Sequence, residues 1–261
     1  MLSGSFGAFA ADYDRYRPGP PGDAVDWILG DRIGSVVDLG AGTGALSRVL
    51  VGRGAQVTAV EPDARMRAVL SEEVPQARAV DGRGESMPIE DGSAEAVIAS
   101  TSWHWMDLLP TLAEVHRVLV PGGVLGALWT GLDPQGLFVS QAREILSRRS
   151  VDGGSAGDGE SSLSTVMLDA AERPDSTLEI PEGTGFSQPE KKTHDWNVAL
   201  TADDLIGLLQ TFSWVITMRE EARGALFSEA RRLLRDLLGV VGEVTVDVEF
   251  HCEAYRAHRL G

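Results

Sequence analysis

Val36-Val37-Asp38-Leu39-Gly40-Ala41-Gly42-Thr43-Gly44-Ala45-Leu46-Ser47 is the stretch whose reading decides the fold. It begins as a short apolar run, the signature of a buried strand. It then breaks into glycines at positions 40, 42 and 44. Leu46, Val49 and Leu50 follow at i, i+3 and i+4, the spacing of a helix face. Strand, glycine turn and helix make half of a βαβ unit. Glycine lacks a Cβ, so such a turn accepts φ > 0 and lets a ligand lie on the backbone. The helix start adds unpaired N–H groups. Together they predict a nucleotide-like ligand at the carboxyl end of the first strand.

A second signal supports the first. Gln56 to Val60 reads as strand 2, and Glu61 ends it. A carboxylate at that place can accept both hydroxyls of a ribose. Two ligand classes share this layout. Dinucleotide sites favour G-x-G-x-x-G. Here the spacing is G-x-G-x-G, preceded by Asp38. An acidic residue before the turn suits a cationic sulfonium better than a pyrophosphate. At these residues the chain resembles the class I S-adenosylmethionine (SAM)-dependent methyltransferases, whose first motif reads much like D-L-G-x-G-x-G. A ligand-free glycine turn is the plain alternative.

The resemblance extends along the chain. Tyr13 and Arg17-Pro18 match the Y-x-x-x-R-P segment of methyltransferases similar to the trans-aconitate type. There the segment closes over the cofactor, so residues 1–30 are expected to form an N-terminal flap and helix. The alternative is an aromatic segment, with Phe6, Phe9, Tyr13 and Tyr16, packed on the surface. Val25, Ile28 and Leu29 mark the helix, with Asp23 as N-cap and Gly30 as stop. After Glu61-Pro62, Asp63 is expected to cap a helix carrying Met66, Val69 and Leu70. The family often has an apolar residue against the adenine at Met66, though a core role serves equally. Ala77–Val80 reads as strand 3. Gly84-Glu85-Ser86-Met87-Pro88 resembles the family's A-E-x-L-P stretch, which implies that the Gly84 backbone and the Glu85 carboxylate reach the adenine amine. Glu85 as a solvated loop charge is the alternative.

Ala94–Ser100 reads as strand 4, followed by Trp103-His104-Trp105 at the edge where doubly wound sheets place their sites. Leu108, Leu112, Val115 and Leu119 share a helix face. Pro121-Gly122-Gly123 reads as the turn into strand 5, Val124–Trp129. Residues 131–189 are expected to be an insertion forming a substrate lid, with Asp152 to Ser164, rich in Gly, Ser and acids, flexible. Lys191–Val198 reads as strand 6. Thr201 is expected to cap a helix with Leu205, Leu208, Leu209 and Phe212, and another helix spans Leu226–Leu238. Val244, Val246, Val248 and Phe250 alternate with polar residues, the period of a strand. In this fold it would be the antiparallel last strand beside strand 5.

The expected class is therefore α/β: a Rossmann-like, doubly wound, seven-stranded sheet with an antiparallel last strand, forming a single domain over residues 1–261. The candidate cofactor residues for SAM are Tyr13, Arg17, Asp38, Gly40, Ala41, Gly42, Gly44, Glu61, Pro62, Met66, Gly84, Glu85 and Ser100. Trp103, His104 and Trp105 are the candidate acceptor residues. His104 is the candidate general base, since its intrinsic pKa lies in the useful range; a pocket wall with its imidazole bonded to backbone is the rival reading. Trp105 and Trp129 can stack or pack. Asp107 and Asp133 do not form a patterned set, so no metal is expected.

Composition narrows the partners. A net charge of −16 opposes nucleic acid and anionic membranes, which need basic patches. The Asn/Asp-Pro-Pro-Tyr signature of base methylation is absent after strand 4. No run of 18 apolar residues predicts a membrane span. Cys252 is the single cysteine, which fits a reducing cytoplasm. The expected function is methyl transfer from SAM to a small-molecule acceptor, by a monomer or homodimer. A nicotinamide-dependent oxidoreductase and a non-catalytic SAM-binding protein are the alternatives.

Overall fold

β1 (Ser35–Leu39) is an interior strand of the sheet, and Val36 through Leu39 are all buried. An apolar run with both faces covered is what a parallel interior strand needs. It pairs in parallel with β2 (Gln56–Val60), Leu39 beside Val60, and with β4 (Ala94–Ser100), Asp38 beside Ile98. β3 (Arg78–Val80) joins β2, and β5 (Leu119–Leu132) joins β4, both in parallel. With β6 (Glu190–Thr201) and β7 (Thr245–His258) the order is β3-β2-β1-β4-β5-β7-β6. The chain steps outward from β1 to β3 and then returns to the other side of β1 at β4. That reversal opens a crevice at the carboxyl ends of β1 and β4.

The last strand is antiparallel and lies next to β5, as expected. Arg259 N–H donates to Gly123 O, while Asp133 N–H donates to Glu249 O. One index rises as the other falls. Phe186 forms an antiparallel bridge with Arg259.

The computed structural model describes residues 16–32, 34–141, 144, 177–211, 215, 218–238 and 244–261. The expectations for Phe6, Phe9, Tyr13, Phe212 and the stretch Asp152 to Ser164 fall outside them. Two compact units are defined. The first comprises the chain to Thr130, Asp175–His194 and Cys252–Gly261. Its core includes Val37, Leu39, Val97, Trp103, Leu112 and Leu125, and also Leu178, Ile180 and Phe186. Those three lie within the segment read from sequence as a lid. The second comprises Gly131–Pro174 and Asp195–His251. Its core includes Leu132, Phe138, Leu205, Leu209, Leu233 and Phe250.

Two helix starts follow the expected caps, Asp63 and Thr201, and one expected cap does not hold. α2 (Ala45–Gly52) follows Gly44, and α3 (Ala64–Glu73) is capped by Asp63, whose Oδ1 accepts the Arg65 N–H at 2.8 Å. α4 (Leu108–Val118) buries Leu112, Val115 and Val118. α5 (Ala202–Gln210) opens with a full capping box between Thr201 and Asp204, and α6 spans Glu220–Leu238. The exception is α1 (Gly22–Leu29). Its N-cap is Pro21, not Asp23. Asp23 sits inside the first turn and bonds His194 Nδ1 at 2.8 Å. Gly30 does end the helix, at φ 59°.

Pro121-Gly122-Gly123 also differs from expectation. These residues do not precede β5 but lie within it. Leu119 pairs with Ala94 and Val124 with Ala96, so two residues of β4 span five of β5. The extra residues bulge out of the ladder, which Gly122 permits at φ 75°.

Candidate functional site

The glycine turn is fastened to β2 by its own backbone. Gly40 and Ala41 N–H groups both donate to Val60 O, at 2.8 and 3.1 Å. Gly40, Gly42 and Gly44 all take positive φ, at 69°, 57° and 97°. Gly40 has a second reason to be glycine: a Cβ there would lie 2.6 Å from Ser102 Cβ. Gly44 then serves as N-cap of α2.

Glu61 lies across this turn. Its Oε2 accepts Gly42 N–H at 2.9 Å and its Oε1 accepts Asp63 N–H at 2.8 Å. The carboxylate at the tip of β2 is thus tied to the turn after β1 and the start of α3. It is buried, and burial raises its pKa, with the two backbone N–H bonds opposing. Arg67 Nη1 donates to Glu61 O at 2.7 Å. Pro62 is half-buried beside it, and Met66 is buried, its sulfur facing Gly42.

Asp38 sits one residue before Leu39, beneath the same turn. It is 1% exposed and accepts the Ser47 hydroxyl at 2.7 Å. Burial pushes its carboxyl up to about 7, Ser47 opposes, and the charge of Glu61 adds to the rise. Two buried carboxyls below one turn make a poor host for a pyrophosphate. They suit a ligand with a sulfonium, an ammonium and a ribose diol. The residues present therefore fit SAM.

The remaining candidates surround the same sheet edge. Arg17 is half-buried in a segment that continues to Gly19, where a Cβ would stand 3.6 Å from Ala45 O at the start of α2. Gly84 and Glu85 form a tight turn closed by paired backbone bonds between Arg83 and Ser86, each 3.1 Å. Glu85 Oε1 accepts the Asp107 N–H at 2.8 Å, so that oxygen holds the start of α4. Ser100 ends β4, half-buried.

Beyond β4 the chain bends sharply. Thr101 takes φ 55°, the one positive value outside glycine among the described residues. Ser102 Oγ donates to Leu39 O at 2.7 Å. Trp103–Trp105 form a single 3-10 turn. Trp103 is buried in the core of its unit, whereas His104 is exposed and Trp105 is 52% exposed. The His104 and Trp105 rings lie 4.9 Å apart, tilted by 42°. Trp129 packs edge-on against Tyr255 and is buried, which is a core role. Among the described residues no three His, Cys, Asp or Glu side chains gather as a metal site.

Sequence reasoning missed Ser47 and Ser102. Each is a small polar residue bonded to another element: Ser47 reaches back to Asp38 in β1, and Ser102 reaches Leu39, far away in the chain.

The chain is similar to known methyltransferases. The family model for a methyltransferase domain matches residues 37–127. An uncharacterized methyltransferase of Mycobacterium tuberculosis is 36% identical over 233 residues, covering 89% of this chain and 86% of that protein. A putative type II methyltransferase from Anaeromyxobacter dehalogenans has a similar structure, with a TM-score of 0.55 at 23% identity over 94% of this chain and 98% of that one. A phosphoethanolamine N-methyltransferase of Haemonchus contortus, solved with S-adenosylhomocysteine, aligns with a TM-score of 0.51 at 17% identity, over all of this chain and 58% of that one. With the glycine turn, the Glu61 tip and the seven-stranded sheet in place, this chain belongs to the SAM-dependent methyltransferases.

Proposed function

We propose that this enzyme methylates a small-molecule acceptor in the crevice at the carboxyl ends of β1, β2 and β4. The observation that carries the reading is the buried Glu61 carboxylate lying on the Gly42 N–H. In this reading Glu61 exchanges its backbone partners for the ribose hydroxyls. The turn Gly40–Gly44 and the buried Asp38 hold the methionine end. Met66 and the Gly84 backbone line the adenine side, and Tyr13 and Arg17 close over the carboxylate. SAM supplies a methyl group already activated by its sulfonium leaving group.

That leaves the chain to bind, orient, exclude water and accept a proton. Trp103, anchored in the core, projects His104 and Trp105 at the crevice edge. Trp105 offers a ring face to an apolar or cationic acceptor. His104 takes the proton that a hydroxyl or amine acceptor gives up. The acidic net charge disfavours nucleic acid as the acceptor. One cysteine suits a reducing, cytoplasmic setting.

Two experiments test this. Calorimetric titration should show binding of S-adenosylhomocysteine and none of NADH, and Glu61→Ala should weaken binding at least about tenfold, as loss of charged hydrogen bonds implies. Incubation with methyl-labelled SAM and a fractionated metabolite extract should place label in a small molecule. Label found only in nucleic acid or protein would overturn the acceptor class. With the acceptor in hand, His104→Ala should lower turnover by about a hundredfold or more if the imidazole takes the proton.

A further inference from the structure

The segment Thr101–Asp107 is fastened at both ends to the two loops of the cofactor crevice. At one end Ser102 Oγ donates to Leu39 O at 2.7 Å. The same Leu39–Gly40 peptide gives its N–H to Val60 O at 2.8 Å. That peptide plane is therefore gripped from both sides, by β2 and by the residue following β4. At the other end Asp107 N–H donates to Glu85 Oε1 at 2.8 Å, and Glu85 lies in the tight turn Arg83–Ser86. Between them Met106 fills space that only glycine leaves at both loops. A Cβ on Gly40 would stand 3.3 Å from Met106 Cε, and one on Gly84 would stand 2.6 Å from Met106 Sδ.

The backbone of this segment is held against its own preference. Thr101 is β-branched and sits at φ 55°. Such a conformation persists only where surrounding bonds impose it, and it clusters at functional sites. Here the Thr101 N–H on Leu128 O, at 2.7 Å, and the Ser102 hydroxyl on Leu39 O impose it. Trp103, His104 and Trp105 lie between the two fastenings.

We propose that Ser102 and Glu85 are positioning residues, which lock the turn Trp103–Trp105 to the glycine turn and to the Arg83–Ser86 loop. Their work is to set where His104 and Trp105 stand relative to the methyl donor. This rests on the crevice reading above. Glu85 then acts through Asp107 rather than on the adenine.

Hydrogen-exchange mass spectrometry with and without S-adenosylhomocysteine tests it without a known acceptor. The reporters are the Trp105 and Met106 amides, which donate to Ser102 O and Trp103 O. In the wild type, ligand should slow exchange both at residues 36–44 and at these two amides. In Ser102→Ala and Glu85→Ala, ligand should still protect residues 36–44, with its Kd within about threefold of wild type, while the Trp105 and Met106 amides exchange about tenfold faster than in the wild-type complex, the loss of one hydrogen bond. Glu85→Gln keeps an acceptor oxygen for the Asp107 N–H and should behave as wild type.

Unchanged protection of Trp105 and Met106 in both alanine variants would overturn the proposal. So would a Kd that rises in step with the exchange, since that marks direct contact with cofactor. If Ser102→Ala fails to fold, the Glu85→Ala and Glu85→Gln pair carries the comparison alone. A wild-type protein that binds no S-adenosylhomocysteine would instead bring down the crevice reading, and this proposal with it.

Discussion

Asp38 is a carboxyl group hydrogen-bonded by neutral groups of Ser47, its hydroxyl and its backbone. Burial raises its pKa to about 7, against about 3.9 in an unfolded chain. Between those values the folded protein holds a proton that the unfolded chain has released. Its contribution to stability is thus complete below the unfolded value and is lost as pH rises through the folded one. The urea midpoint of the ligand-free protein should therefore fall between about pH 4 and 7 on this account, and Asp38→Asn should flatten that fall. A cationic ligand favours the ionised carboxyl. Binding of SAM near pH 6 should release protons, measured by calorimetry in buffers of different ionisation enthalpy, and S-adenosylhomocysteine, without the sulfonium, should release fewer. Gly40 carries a second prediction. At φ 69°, with Ser102 Cβ 2.6 Å from any Cβ, Gly40→Ala combines backbone strain and overlap. It should cost about 2 kcal/mol or more in urea denaturation and weaken S-adenosylhomocysteine binding.

At the scale of elements, caps and edges decide stability away from the crevice. Thr201 accepts the Asp204 N–H at 3.1 Å, and Asp204 returns a bond to Thr201 N–H at 3.0 Å. Thr201→Ala should lower stability by about 1 kcal/mol in urea titration and leave S-adenosylhomocysteine affinity unchanged. This cap was legible in the sequence, as was Asp63 at α3, because a cap needs residues only a turn apart. β1, β2 and β4 were legible too, since an interior parallel strand writes itself as an apolar run. The elements that differed depend on distant partners. Asp23 has the residue type of a cap, yet Pro21 takes that place and Asp23 turns to His194, which is distant in the chain. Pro121-Gly122-Gly123 has the composition of a turn, yet pairing with Ala94 and Ala96 absorbs it into β5 as a bulge. β6 and β7 run longer than their patterns suggest, to Thr201 and to His258. In the crevice the sequence revealed the glycine turn and Glu61, which form a spaced motif. It did not reveal the Ser102 bond to Leu39, which joins strands through two residues with no shared pattern.

For the molecule as a whole, charge and ligand set the conditions of stability. With a net charge of −16, like charges repel in the folded state, and salt screens them over about 8–10 Å at moderate ionic strength. The thermal midpoint should rise between low salt and physiological ionic strength. S-adenosylhomocysteine at a hundred times its Kd should add about 2.7 kcal/mol by mass action, while NADH at the same concentration should add nothing. Thermal shift measurements read both. The sheet order has a further consequence. β7 lies between β5 and β6, yet it follows both in the chain. While the protein is being made, β6 emerges from the ribosome with no neighbour to join and must wait, its edge bare, until the wedge strand is translated. Such a nascent chain offers chaperones an exposed ribbon, and a premature stop before Thr245 would leave that ribbon permanently without its place.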